Sequence, residues 1–313
     1  MSLLRNHDLS RQFAFALLDG QLACSEIRSD LLAGILGGEF GPIRVDRGLR
    51  KRTTEHELMC YPSRAMSRLL SALIVMVLGT PAFAVTGNAP AANGWAARPI
   101  VMLVDARDDL CTATALARDL VLTAAHCVVR PVAYQVKAYQ TGVPIAVRSI
   151  VRHPRFDYAS YAASRATADV ALVKLAAPLP DVVVPAGLAA PRRVAVGETL
   201  TIAGFGVTIA GTARGLGQPR MATLSVTGKP GSLQIRLYDI ATRNLRAGLG
   251  GCTGDSGAPA FDGDGPLVIG VVSWSTAPND EEGCGGLTGV TPLLLYRDWI
   301  VETARKLNSA IAP

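Results

Sequence analysis

Three short segments hold the residue types that acyl-transfer chemistry needs. They are Leu122-Thr123-Ala124-Ala125-His126-Cys127, Ala168-Asp169-Val170-Ala171-Leu172, and Cys252-Thr253-Gly254-Asp255-Ser256-Gly257-Ala258-Pro259. In chain order they supply a histidine, an aspartate and a serine. A serine hydroxyl is a weak nucleophile near neutral pH until a neutral imidazole takes its proton. The imidazole in turn needs a carboxylate to hold its tautomer and to stabilise the imidazolium. The oxyanion that develops needs fixed backbone N–H donors, which Gly254 and Ser256 present if their segment turns sharply. The flanking glycines permit backbone angles that a Cβ resists. Each residue has a plainer role when taken alone: a core histidine, a strand-end cap, a turn serine. His153, followed by Pro154, reads as a turn residue rather than a catalyst.

The elements that must carry these residues read as short strands. Ile100–Val104, Leu120–Thr123, Gln135–Tyr139, Ile145–Val151, Val170–Leu175, Thr199–Ala203, Ala222–Val226, Leu233–Leu237 and Leu267–Ser273 are rich in Val, Ile, Leu and Thr. Gly, Pro and Asp commonly punctuate them, which argues an all-β sandwich or barrel. One helix is predicted, Leu293–Leu307, with Pro292 suited to its first turn. Pro185–Val196 reads as a linker near the middle of residues 85–313.

The chain of 313 residues is 49% hydrophobic and 18% charged, a balance that excludes intrinsic disorder. Its 31 glycines and 19 prolines follow no period, which excludes collagen-like and low-complexity readings. The net charge of +6 is not gathered on a face, apart from Arg50-Lys51-Arg52, so no nucleic-acid partner is implied. Leu69–Leu78 is an apolar run, too short to span a bilayer, preceded by Arg64 and Arg68 and followed by Ala82-Phe83-Ala84. Basic flank, short apolar run and small-residue end make a secretory signal. Met66 or Met59 gives it ordinary length, so residues 1–65 read as a doubtful extension, 66–84 as a signal peptide and 85–313 as the mature domain, secreted or periplasmic. An uncleaved membrane anchor is the rival. Of the six cysteines, Cys111, Cys127, Cys252 and Cys284 lie after Ala84. An even number suits an oxidising compartment, and four cysteines allow three pairings. No C-x2–4-C pair occurs among them, so zinc is not implied, nor any other metal or cofactor.

Taken together the motifs resemble those of the trypsin/chymotrypsin-type serine proteases. Thr123–Cys127 is similar to the family's TAAHC, Asp169–Leu172 to DIAL, and Gly254–Pro259 to GDSGGP with Ala258 in place of a glycine. Gly204-Phe205-Gly206, His153-Pro154, Ser273-Trp274-Ser275 and Tyr296–Ile300 match further segments, so the resemblance covers residues 85–308. It implies two six-stranded antiparallel Greek-key barrels with a C-terminal helix and the active site between them. The N-terminal barrel would span about 100–185, the linker about 185–196, the C-terminal barrel about 197–291 and the helix 293–307. It implies His126 as general base, Asp169 as its partner and Ser256 as nucleophile. Gly254 and Ser256 form the oxyanion hole, and Ser273 supports Asp169. It also implies Cys111–Cys127 and Cys252–Cys284 disulfides. A third bridge common in the family has no cysteines here, which removes a constraint worth about 2–5 kcal/mol.

In the family a freed N-terminus pairs its ammonium with the aspartate before the nucleophile, here Asp255, and Val85 directly follows Ala84. Signal cleavage itself would then make the activating terminus. By the same resemblance Gly250, Gly251, Ser275 and Gly289 outline the substrate pocket. With no aspartate at 250, cleavage after Phe, Tyr, Leu or Met is expected over Arg. The reading implies protein or peptide substrates, a monomer, and no stable membrane association after signal cleavage. A non-catalytic protease-like binding protein is the main alternative. An α/β-hydrolase is disfavoured because Ala258 breaks its motif and its order is Ser, Asp, His.

Overall fold

The computed structural model describes residues 86–227 and 233–312. The extension 1–65, the signal segment 66–84 and Val85 lie outside the described residues. Six strands close the first barrel: β1 (Ile100–Asp105), β2 (Leu110–Ala117), β3 (Leu120–Thr123), β4 (Tyr134–Lys137), β5 (Pro144–Arg152) and β6 (Ala171–Leu175), in the order β1-β2-β3-β6-β5-β4. After the two-residue β7 (Gly187–Leu188), the second barrel uses β8 (Thr199–Gly204), β9 (Arg220–Val226), β10 (Ile235–Tyr238), β11 (Pro259–Asp262), β12 (Leu267–Ser275) and β13 (Thr288–Pro292). Their order is β11-β8-β9-β10-β13-β12, and pairing of β11 with β12 closes the ring. Among the described residues there are three α-helices, all short or terminal: α1 (Gly94–Ala97), α2 (Tyr158–Ala162) and α3 (Arg297–Lys306). This is the expected all-β architecture of two six-stranded barrels with a C-terminal helix.

Side chains alternate across a strand, so a barrel strand buried on both faces serves two cores at once. On β1, β3 and β6, Val101, Leu103, Val121, Ala171, Val173 and Leu175 fill the first barrel. Their neighbours Ile100, Leu120, Leu122 and Leu172 point into a separate cluster with Phe205, Phe261, Val271, Tyr296, Ile300 and Ala304. That cluster lies between the barrels and under α3. Leu200, Ile202, Leu224, Leu237, Ile269 and Val290 fill the second barrel. The two barrels are thereby fixed to each other by apolar burial, at roughly 25 cal/mol per Å² removed from water.

Several elements differ from the sequence expectation. β2, β11 and β13 were not anticipated as strands. β2 is built mostly of small residues and buried on both faces, β11 has only four residues, and β13 ends at Pro292 with Gly289 inside it. Such runs show no alternation to read. The predicted linker contains β7, which pairs in parallel with Leu267 and Val268 of β12. The C-terminal helix begins at Arg297 rather than Leu293, because Leu293–Leu295 forms a 3-10 turn that ends at Tyr296.

Candidate active site

His126 follows β3 on a 3-10 turn, Ala125–Val128. Buried Ala125 and Val128 pin that turn to the first barrel, and Ala124 packs into the cluster between the barrels. The Cys111–Cys127 disulfide ties it to β2. Asp169 sits just before β6, between buried Ala168 and Val170. Because β3 and β6 pair with Thr123 opposite Ala171, the two side chains meet. The His126 backbone N–H donates to Asp169 Oδ1 at 2.9 Å, and the imidazole Nδ1 lies 2.7 Å from Asp169 Oδ2. A carboxylate only accepts, so Nδ1 carries a proton, and in the neutral imidazole that leaves the lone pair on Nε2. Ser273 Oγ donates to the same Oδ2 at 2.5 Å. Asp169 is 1% exposed, and these three donors compensate its burial.

Ser256 lies in a turn whose shape only glycine allows. Gly254 has φ +96° and Gly257 φ +85°. A Cβ on Gly257 would stand 2.1 Å from the Thr112 carbonyl oxygen and 2.2 Å from Thr123 Oγ1. The Ser256 carbonyl accepts from Thr112 N–H at 2.9 Å, which joins the serine to the barrel that carries His126. His126 and Ser256 line one cleft of about 1180 Å³. Ala258, where the family has glycine, tucks its methyl into the second barrel core.

The peptides on either side of this turn are oriented by their carbonyls. The Thr253 carbonyl accepts from Val207 N–H at 2.8 Å, and the Asp255 carbonyl from Ala258 N–H at 2.9 Å. A trans peptide points its N–H opposite its C=O. The Gly254 and Ser256 N–H groups therefore face away from these acceptors, and neither has a backbone or side-chain acceptor among the described residues. Thr112 reinforces the arrangement. Its hydroxyl donates to the Gly254 carbonyl at 2.8 Å and accepts from Phe205 N–H at 3.1 Å. Sequence reasoning missed Thr112, whose only signal was its place beside Cys111.

Asp255 is 1% exposed. Its oxygens accept from Gly206 N–H and Cys252 N–H, both at 2.9 Å. Burial pushes its carboxyl up to about 7, against those two hydrogen bonds. A Cβ on Gly204 would come 2.2 Å from Asp255 Oδ1, so that glycine makes room for the carboxylate. Thr86 forms an antiparallel bridge with Gly250, and its hydroxyl donates to the carbonyls of Gly248 and Gly250 at 3.3 and 3.2 Å.

The residues named for the pocket separate into two sets. Ser275 lines the cleft together with Trp274, Glu282 and Gly283. Gly250, Gly251 and Gly289 are buried behind it. A Cβ on Gly250 would touch Thr288 Oγ1 at 3.3 Å, and Gly251 N–H donates to that hydroxyl at 2.9 Å. The Trp274 indole fills the space over Gly289, where a Cβ would lie 1.9 Å from Cε2. Gly289 thus makes room for Trp274, and Gly250 and Gly251 pack against Thr288, so none of the three lines the cleft itself. Cys252 is bonded to Cys284, which joins the nucleophile segment to the loop before β13. Cys111, His126 and Cys127 bring ligand-type atoms within 4.8 Å of one another. Both sulfurs belong to one disulfide, so they offer no thiolate to an ion. His153 is buried against Tyr296 and Trp299, with its Nδ1 accepting from Arg155 N–H at 3.1 Å. That is a packing role.

Comparison with known proteins bears on the family and the fold. Residues 85–300 match the family profile described as Trypsin. The chain is similar to snake venom serine protease rhinocerase 4 of Bitis rhinoceros, 25% identical over 225 residues, covering 69% of this chain and 86% of that protein. It is also similar to vitamin K-dependent protein C of Oryctolagus cuniculus, 29% identical over 234 residues, covering 64% of this chain and 48% of that longer protein. Among solved structures, human heparin binding protein has a TM-score of 0.58 at 21% identity, covering 72% of this chain and 99% of that one. Neuropsin, described as a serine protease of mouse brain, has a TM-score of 0.55 at 21% identity, covering 68% and 97%. At these identities the two structures speak for the fold.

Proposed function

The chain belongs to the trypsin family of serine proteases, and from that premise we propose that it is an exported serine endopeptidase. The observation that carries this reading is the His126–Asp169–Ser273 hydrogen-bond chain opening onto the cleft that Ser256 also lines. In the reaction, a peptide carbonyl enters the cleft and Ser256 Oγ attacks it. His126 Nε2 takes the hydroxyl proton, and the Asp169 carboxylate stabilises the imidazolium. The Gly254 and Ser256 N–H groups receive the oxyanion, worth about 3–4 kcal/mol per donor at such a site. His126 then gives its proton to the leaving amine. Water reverses the sequence on the acyl-enzyme.

Export follows from the 66–84 signal and from two disulfides. Among the described residues no helix is long and apolar enough to cross a membrane. Cleavage after Ala84 frees Val85, whose ammonium then pairs with Asp255. In support, Thr86 is already bridged to Gly250, and Gly87, at φ +80°, fits against Gly248 with no room for a Cβ. The side chain cut after is neutral and apolar: Trp274 presents an indole to the cleft and Ser275 beside it a small uncharged hydroxyl. Substrates are proteins or peptides, and the enzyme acts as a monomer. Peptides ending in Phe, Tyr, Leu, Met, Arg or Lys amides test the reading with Ser256→Ala as control. Hydrolysis after the neutral residues and none by the variant is expected. Equal hydrolysis by Ser256→Ala, or binding without turnover as in a protease-like binding protein, contradicts it.

A further inference from the structure

Tyr161 faces His126 from the opposite wall. Its ring lies parallel to the imidazole, with centroids 4.3 Å apart and planes 11° apart. Its hydroxyl donates to the Ser273 carbonyl at 3.4 Å, on the residue whose side chain holds Asp169. Nothing in the motif pattern marks Tyr161. It stands on α2, in the loop between His153 and Asp169, and its placement is built. The Asp157 carboxylate caps α2 by accepting from Ala159 and Ser160 N–H at 3.0 and 3.2 Å. Thr167 Oγ1 accepts from Asp157 N–H at 2.8 Å and donates to the Arg155 carbonyl at 3.2 Å, which closes the loop behind the helix. Phe156 and Tyr158 stand 6.5 and 6.2 Å from the Tyr161 ring.

We propose that Tyr161 is a positioning residue for His126: its ring face fixes the imidazole plane and stabilises the imidazolium formed when Ser256 gives up its proton. The proposal rests on the catalytic reading of His126. An aromatic face attracts a cation far more than a neutral ring. The interaction therefore strengthens as the proton arrives, and only such differential interactions speed the chemical step. The imidazole side chain is 12% exposed, so little water competes. The groups around it are Asp169 from the segment before β6, Tyr161 with Tyr158 beyond it from α2, Ser273 from β12, and the uncharged Cys111–Cys127 disulfide, with Cys127 Sγ 3.8 Å from Nε2. Of the other charged groups that line the same cleft, Asp105, Asp109 and Arg130 are tied to one another in ion pairs, and Asp108 and Glu282 stand in none among the described residues. Burial first, and then the Asp169 charge, hold the Tyr161 phenol well above its usual range, so it faces the imidazolium as a neutral ring.

Tyr161→Phe keeps the ring face and loses the hydroxyl. Tyr161→Leu keeps apolar cover and loses the face, and Tyr161→Met replaces it if the Leu variant does not fold. For Leu or Met, kcat/KM should fall roughly 2- to 30-fold, through kcat rather than KM. The acid limb of its pH profile should move about 0.4 to 1.5 units lower. Phe should stay near wild type on both readouts. Equal losses in Phe and Leu, or an unmoved limb in Leu, overturn the proposal. If the unaltered protein does not hydrolyse peptides, the catalytic reading fails and the positioning claim is decided by NMR. There the imidazole proton shifts of His126 are followed against pH, assigned with His126→Ala and with His153 as internal control. A lower titration midpoint in Leu than in Phe upholds it, and equal midpoints overturn it.

Discussion

The two halves of the site are held by different physics. On the first barrel, His126 and Asp169 meet because β3 and β6 pair in one register, and three donors surround one carboxylate. Side chains do the work, and the partners are complete within the described residues. On the second barrel, the Ser256 turn is held by backbone carbonyls, by glycines at positive φ and by Asp255, a buried carboxylate with two N–H donors and no cation among the described residues. The base is therefore preorganised by the strands themselves, whereas the nucleophile turn rests on a buried carboxyl whose burial only two N–H donors offset.

The largest expected effect breaks the first half. Asp169→Asn cannot hold the proton on Nδ1 and leave Nε2 free, so turnover should fall about 10⁴-fold. A loss under tenfold in steady-state kinetics would mean that the register does not serve the chemistry. Gly257→Ala breaks the second half by sterics. With a Cβ 2.1 Å from the Thr112 carbonyl oxygen and φ +85°, it should cost several kcal/mol of unfolding free energy, more than the ~1 kcal/mol of an ordinary substitution. Urea unfolding checks this, and a change below 1 kcal/mol would deny the tight approach.

The comparison sharpens with pH. Asp255 has its folded carboxyl raised to about 7 from 3.8, so the folded state holds a proton that the unfolded chain has released. Stability of protein in which Val85 is not free should fall as pH rises from about 4 to 7, by on the order of 4 kcal/mol. Protein beginning at Val85 should lose that slope, because its ammonium favours the ionised form. Identical slopes in the two would sever Val85 from Asp255. The smallest effect lies on the other side. Burial lowers the His153 value below 6.5, so its contribution is present above that pH and is lost as pH falls through the window beneath. His153→Phe should flatten thermal stability in the pH window just below 6.5 and leave the Asp255 slope intact.

How much of this was legible in the sequence depends on what kind of contact is involved. His126, Asp169 and Ser256 stand in short local motifs, and strands such as Leu120–Thr123 announce themselves by β-branched and leucine content. β2 was hidden because Thr112, Ala113, Thr114 and Ala115 are all buried, which erases alternation. Thr112 and Tyr161 were invisible for a related reason. Their roles come from partners far away in sequence, Gly254 for one and His126 and Ser273 for the other. The pocket was read only as a set of small residues. That Trp274 lies over Gly289 depends on the β12–β13 register and on the bulge at Ser273, which no local pattern encodes.

The most direct test is covalent labelling of the protein beginning at Val85 with a fluorophosphonate, followed by peptide mass spectrometry. The account predicts one adduct per chain on Ser256, abolished in His126→Ala and strongly slowed in Asp169→Asn. Labelling that persists unchanged in His126→Ala, or an adduct on another serine, would contradict it.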